Sequence, residues 1–180
     1  MDDSSAHPTN LRPHRLAAEL AALLKPGDAV LDFAAGSERN TAFLRQQGFH
    51  VDAISDGDAP LYRGTGRRYD AAVSTHGMLH GTPETIKAAA GEIAESLVPG
   101  APFFATFAST NDPRFGKGER LGASTFAPQE GEEQGVPHTF FDETGVRDLL
   151  AERFSIAAME EHGAEHIAGS VHWFVRARRR

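Results

Sequence analysis

The sequence of 180 residues predicts an α/β fold, with a mostly parallel sheet closed at one edge by an antiparallel hairpin. Three observations carry this. Short apolar runs alternate with segments of helical period, a complete strand, turn, helix and strand fits in about 26 residues (29–54), and the last two apolar runs have no helical segment between them. A βαβ unit that compact joins parallel strands by a right-handed crossover, whereas directly successive strands pair as a hairpin.

Residues 1–12 read as a loose polar arm, and 13–180 as a single domain, the size that one core can support. The first helix is expected over about His14 to Leu24, with Leu16, Leu20, Leu23 and Leu24 as its apolar stripe. Pro26-Gly27-Asp28 turns the chain into the first strand, Ala29–Phe33, whose apolar run suits burial on both faces. Ala34-Ala35-Gly36-Ser37 forms a small-residue turn before a helix over Asn40 to Gln47, which Gly48 stops. Phe49–Ile54 is the second strand and Tyr69–Ser74 the next. Thr82-Pro83-Glu84 supplies a cap, a first-turn proline and an acid at the positive end of a helix reaching Leu97. Pro99-Gly100 ends it, Pro102–Phe107 is a strand, and Asp142 caps a helix over Glu143 to Glu152. Phe154–Met159 and Val171–Arg176 form the closing hairpin.

The chain has no cysteine, which removes disulfides, thiolate nucleophiles and cysteine-bound zinc, and makes the cytoplasm the expected compartment. The acidic, polar start carries no apolar stretch, so neither a signal peptide nor a membrane anchor is expected. A net charge of -7 repels a phosphate backbone, so nucleic acid is not an expected partner. The basic run Arg176 to Arg180 is expected to be a solvated tail after the last strand.

Val30-Leu31-Asp32-Phe33-Ala34-Ala35-Gly36-Ser37-Glu38-Arg39-Asn40 resembles the first motif of class I S-adenosylmethionine-dependent methyltransferases. Tyr69-Asp70-Ala71-Ala72-Val73-Ser74 is similar to their fourth strand, and Leu97-Val98-Pro99-Gly100-Ala101-Pro102-Phe103 to the turn before their fifth. The resemblance runs from about Arg15 to Arg178, nearest to small bacterial enzymes similar to tellurite-resistance and ubiquinone-biosynthesis methyltransferases. It implies a Rossmann-like three-layer sandwich, S-adenosylmethionine as cofactor, S-adenosylhomocysteine as product and a small-molecule methyl acceptor. It places Asp32, Ala34, Gly36 and Ser37 at the methionine end of the cofactor, with Asn40 beside them and Ser74 at the end of the fourth strand.

The sequence departs from the family pattern at two places. Glu38 stands where a last glycine is usual, either facing the cofactor carboxylate or turned outward as a first-turn helix acid. Ser55 stands where an acid usually holds the ribose, with Asp56 next to it, and both are candidate ribose ligands. Only 14 residues separate Ile54 from Tyr69, too few for a turn, a helix, another turn and a strand. Extended, they reach on the order of 45 Å, enough for a shortened crossover. The expected sheet therefore has six strands, ordered 2-1-4-5-7-6 in family labels, without the third strand and its preceding helix. The sheet face left open would be covered by a homodimer.

His76 and His80 follow the fourth strand and are candidate bases or orienting groups for a methyl acceptor. Their i, i+4 spacing would suit a metal on a helix, but Gly77 weakens the helix and no glutamate follows His76, so no metal is expected. The segment Ala108 to His138 is too long for a plain connector. Its Arg114, Lys117 and Arg120 near Phe115 suit an anionic or aromatic acceptor, and Arg114 and His138 join His76 and His80 as candidate catalytic residues. His162, His166 and His172 are read as ordinary histidines flanking the hairpin. The alternative to methyl transfer is a noncatalytic binding or interaction domain with a degraded cofactor site, which Glu38, Ser55 and the short crossover would suit. A nicotinamide oxidoreductase is disfavoured because the first turn lacks the spaced glycines of dinucleotide binders.

Overall fold

The computed structural model describes residues 12–59, 62–163 and 169–180. The expected arm lies almost wholly outside these residues, as does His166. The elements are α1 (Arg15–Ala21), β1 (Ala29–Phe33), α2 (Arg39–Gln46), β2 (His50–Ile54), β3 (Ala71–Ser74), α3 (Pro83–Ser96), β4 (Pro102–Ala108), β5 (Glu119–Arg120), β6 (Thr125–Ala127), β7 (His138–Thr139), α4 (Glu143–Leu150), β8 (Phe154–Gly163) and β9 (Val171–Arg179). Six of the strands form one sheet in the order β2-β1-β3-β4-β9-β8. The first four are parallel, and β9 runs antiparallel to both β4 and β8. This is the order the sequence predicts.

Strand periodicity builds the three layers. Val30, Ala71, Val73 and Phe104 point to one face and pack with Leu16, Ala17 and Leu20 of α1 and Leu44 of α2. Leu31, Phe33, Ala72, Phe103, Ala105 and Phe107 point to the other and meet Ile86, Ala90 and Ile93 of α3 and Val146 and Leu150 of α4. At a usual 1.5–3 kcal/mol for each large apolar side chain buried, these two faces supply the main stabilising term of the fold.

The described part of the β2–β3 crossover contains no α-helix and no named strand. It nevertheless covers part of the face expected to stand open. The Tyr62 ring packs edge-on against Phe33 at 5.6 Å and its hydroxyl lies 2.9 Å from Ser96 Oγ, leaving Tyr62 only 6% exposed. Farther along, Arg67 pairs with Asp52 at 3.2 Å and the Tyr69 hydroxyl donates to the same carboxylate at 2.8 Å, so polar groups flank the edge strand β2.

Four local expectations are corrected. The first helix ends at Ala21, not Leu24, and Leu23 is 55% exposed, because the chain leaves the helix to reach the turn where Asp28 Oδ2 accepts from Lys25 N. The closing strands are longer than expected, extending to Gly163 and Arg179. The basic run as far as Arg179 is part of β9 rather than a tail, with Arg176 paired to Glu19 at 2.7 Å, and Arg180 just beyond the strand donates to the Phe154 carbonyl. Finally, the long segment after β4 has its own three-stranded sheet, β5-β6-β7, over the small apolar cluster Leu79, Ala108, Phe126 and Phe140.

Candidate functional site

Parallel strands bring the loops that follow them to one edge of the sheet. The turn after β1 and the segment after β3 meet there around a cavity of about 300 Å³ lined by Asp32, residues 34–40, Thr75 and His76. Among the described residues, the non-glycine positions with positive φ are Ala34 (57°), Glu38 (51°) and His76 (67°), and all three border this cavity. Such backbone costs of order 1–3 kcal/mol per residue and persists only where surrounding contacts impose it. Here Ala35 N donates to Ile54 O at 2.8 Å, and His76 N donates to Thr106 Oγ1 at 2.8 Å.

The loops approach to the distance that glycine permits. A Cβ on Gly36 would lie 2.5 Å from Asp56 Oδ2, and one on Gly77 would lie 2.2 Å from the Ala34 Cβ. Asp32 is 1% exposed and accepts from Thr41 Oγ1 at 2.5 Å, yet burial outweighs this hydrogen bond and raises its pKa to about 6. Asn40 binds the neighbouring elements together, accepting from His14 N at 2.9 Å and donating to Thr75 Oγ1 at 2.8 Å. Glu38 is the N-cap of α2 but is exposed and makes no capping hydrogen bond.

A second, apolar cavity adjoins the first through Ala34 and is walled by Phe33, Met78, Ile86 and Ala89, with Asp56, His80 and Glu133 as its charged or titratable groups. Burial raises the Asp56 pKa, partly offset by His80. Of the two candidate ribose ligands, Asp56 lines the apolar cavity, while Ser55 donates to Asp58 Oδ2 at 2.7 Å within its own turn. Ser74 is fully buried and lies under Gly77, outside the cavity lining.

His76 and His80 separate into different clusters, since positive φ at His76 prevents a helix through both. The His76 ring lies 5.6 Å from that of His14 and 5.0 Å from that of His172. His172, read from sequence as ordinary, is fully buried, and burial together with His76 and Arg114 pushes its pKa down to about 3. Arg114 grips Asp112 through Nε at 2.9 Å and Nη2 at 3.0 Å, and its Nη2 lies 3.4 Å from His172 Nε2. Burial works against the Asp112 charge, but Arg114 and the Val171 amide outweigh it and hold that carboxyl well below the usual range.

His80 instead faces His138. The two residues form an antiparallel bridge, reinforced by Thr139 N to Leu79 O at 2.9 Å and Gly81 N to Pro137 O at 2.8 Å. Their rings meet edge to face at 4.9 Å, and each approaches Glu133, His80 Nε2 at 3.3 Å from Oε1 and His138 Nε2 at 3.0 Å from Oε2. Burial and then His138 lower the His80 pKa. Beyond this partition lies a third cavity, lined by Arg114, Lys117, Phe126, Glu133, His138 and Phe140. The candidates Arg114 and His138 thus share a wall, whereas His76 and His80 do not. Glu133, Asp112, His14 and Thr75 were missed, because no local pattern marks partners separated by tens of residues.

No protein-family model matches the sequence, and no curated protein is similar to it. Solved structures do match. A S-adenosylmethionine-dependent methyltransferase from Methanosarcina mazei superposes with a TM-score of 0.74 at 16% identity, covering 93% of this chain and 98% of its own. The 1,6-didemethyltoxoflavin-N1-methyltransferase of Burkholderia thailandensis gives 0.70 at 21% identity over 98% of this chain and 79% of its own. Magnesium protoporphyrin IX methyltransferase from Synechocystis PCC 6803 gives 0.62 at 18% identity over 92% and 76%. With the strand order and the antiparallel edge described above, the chain has the Rossmann-like α/β fold of S-adenosylmethionine-dependent methyltransferases.

Proposed function

We propose that this chain transfers the methyl group of S-adenosylmethionine to a small-molecule acceptor. The observation that carries the reading is the convergence of strained backbone at Ala34, Glu38 and His76 on one cavity, directly beside an apolar cavity with the Asp56 carboxylate at their boundary. The residues fit the cofactor. The close approaches at Gly36 and Gly77 leave backbone rather than side chain as the wall. Ala34, Gly36, Ser37 and Asn40 would hold the methionine end with Asp32 toward its ammonium, Asp56 would take the ribose hydroxyls, and Phe33, Met78 and Ile86 would flank the adenine. Ser55 and Ser74 serve as supports rather than direct ligands in this assignment.

Bound there, the cofactor supplies an electrophilic methyl group, so the chain's task is to align a nucleophile and exclude water. Arg114 and Lys117, with Phe126 and Phe140, suit an anionic, flat acceptor in the third cavity. His80, whose pKa is lowered by burial and then by His138, stands at the edge of the apolar cavity, where it can orient the acceptor. His76 and His138 act as orienting groups at the rims. The net charge of -7 favours a small molecule over nucleic acid, and no helix among the described residues is long and apolar enough to cross a membrane. A cytoplasmic site of action belongs to the same proposal, while the narrower kinship with tellurite-resistance and ubiquinone-biosynthesis enzymes carries no residue assignment.

Calorimetry with S-adenosylhomocysteine tests the proposal. One site per chain is expected, weakened about 10- to 100-fold by Asp56→Ala, the value of a hydrogen bond to a charged group, and left nearly unchanged by Ser55→Ala. No binding at millimolar ligand overturns the reading and leaves the noncatalytic binding domain.

A further inference from the structure

We propose that His80, Glu133 and His138 form a binding site for a divalent transition-metal ion of the zinc type, on the partition between the apolar cavity and the cavity lined by Arg114 and Lys117. The ligand atoms of the trio all lie within 4.8 Å of one another. Two of the three separations, 3.3 and 3.0 Å, are close to the roughly 3.3 Å between neighbouring ligands of a tetrahedral zinc ion with bonds near 2.0–2.1 Å.

The hydrogen bonding around His138 strengthens the assignment. Its Nδ1 lies 2.9 Å from the Val136 carbonyl, which can only accept, so Nδ1 carries a proton there. In the neutral ring Nε2 then presents a lone pair, and it faces the Glu133 carboxylate, another acceptor, at 3.0 Å. Two facing acceptors at that distance are joined by a proton or by a metal ion, and a backbone carbonyl fixing the far nitrogen is the usual support of a metal-binding histidine. His138 is 4% exposed at its side chain and held by the bridge to His80, so two of the ligands are preorganised. Glu133 is 51% exposed and free to adjust to the ion.

Imidazole nitrogen with a single carboxylate favours zinc, iron, cobalt or nickel over the all-oxygen ions magnesium and calcium. Three protein ligands leave a coordination position open, which is the pattern of sites that bind an exchangeable anion or polarise a bound group. Glu133 lines both the apolar cavity and the Arg114 cavity, so an ion held by it is accessible to ligands of either. The ion would also tie the segment after β4 to the end of β3, stabilising the wall between them.

The test uses the full chain without cofactor, titrated with Zn²⁺ by calorimetry and with Co²⁺ by visible absorption. One ion per chain and the strong visible bands of low-coordinate Co²⁺ are expected. Glu133→Gln, an isosteric change at an exposed side chain, should weaken binding more than ~10-fold, as should His80→Ala. His162→Ala, which breaks the surface His162–Glu160 pair at 2.8 Å, should leave binding unchanged. Absence of saturable binding, or equal binding by Glu133→Gln and the unaltered chain, overturns the site. Because the readout needs no S-adenosylmethionine, its failure is separable from failure of the methyl-transfer reading.

Discussion

Burial holds the Asp32 carboxyl near 6, although the Thr41 hydroxyl and amide both pull it lower. The unfolded chain loses that proton at the ordinary value of 3.8, so between these values the native state is protonated while the unfolded state is not. Stability contributed by the group therefore falls as pH rises from about 4 to about 6 and levels above, by at most about 3 kcal/mol. Urea midpoints at pH 4 and pH 7 should show this decline, and Asp32→Asn should remove most of it. A ligand whose ammonium faces Asp32 needs the ionised form, so affinity for S-adenosylhomocysteine should fall below pH 6 and Asp32→Asn should flatten that dependence. Glu38 gives the opposite kind of prediction. Its φ of 51° costs ~1–2 kcal/mol for an L residue, a cost that Glu38→Gly removes and the added unfolded-state entropy of glycine partly offsets, and its side chain is exposed at the cavity border. Glu38→Gly should raise Tm by about 2–4 °C with ligand affinity unchanged. A tenfold gain in affinity would instead show that the acid intrudes on the ligand. Asp32 and Glu38 were visible in the sequence because the small-residue turn marks them. Glu133 was not, since only the pairing of residue 80 with residue 138 brings it to the site.

At the scale of elements, local chemistry was legible wherever an element states its own ends. Thr82 accepts from Thr85 N and Thr82 N donates to the Thr85 hydroxyl, completing a box around Pro83 at the first helical turn of α3. Thr82→Ala should cost about 1 kcal/mol, read as a fall of about 2–4 °C in Tm. The strands β5, β6 and β7 were not legible, because pieces of two or three residues have no period and exist through distant partners such as Ser124 O, which accepts from Phe140 N. Their weak point is Gly118, at φ 89°, where a Cβ would lie 2.1 Å from the Ala127 carbonyl oxygen. That atom is backbone and cannot step aside, so Gly118→Ala should separate β5 from β6. The expected result is rapid proteolysis near residues 113–128 with little change in the main melting transition, since this cluster packs apart from the two sheet faces. Proteolysis no faster than in the unaltered chain would show that β5 is dispensable to the segment.

For the whole molecule, the α/β class followed from alternation of apolar and helical segments and the order of the six strands from the resemblance to the methyltransferase family, but how the short crossover protects the sheet followed from neither. The reasoning from chain length correctly limits how much structure 14 residues can contain, yet it treats them as a tether and ignores what one large side chain covers. Tyr62 reaches inward to Phe33 and Ser96, so one ring covers part of the face that a helix was expected to cover, which reduces the apolar surface a second copy of the chain would bury. At micromolar concentration the chain should therefore sediment as a monomer. Tyr62→Ala makes the same argument from the other side. Removing the ring should cost roughly 3 kcal/mol or more, as large-to-small changes at buried aromatic positions do, and should expose Phe33. The variant should then sediment partly as dimer or larger species, with a lower Tm. A dimer already present in the unaltered chain and insensitive to Tyr62→Ala would assign self-association to another surface, and would show that the crossover does not control it.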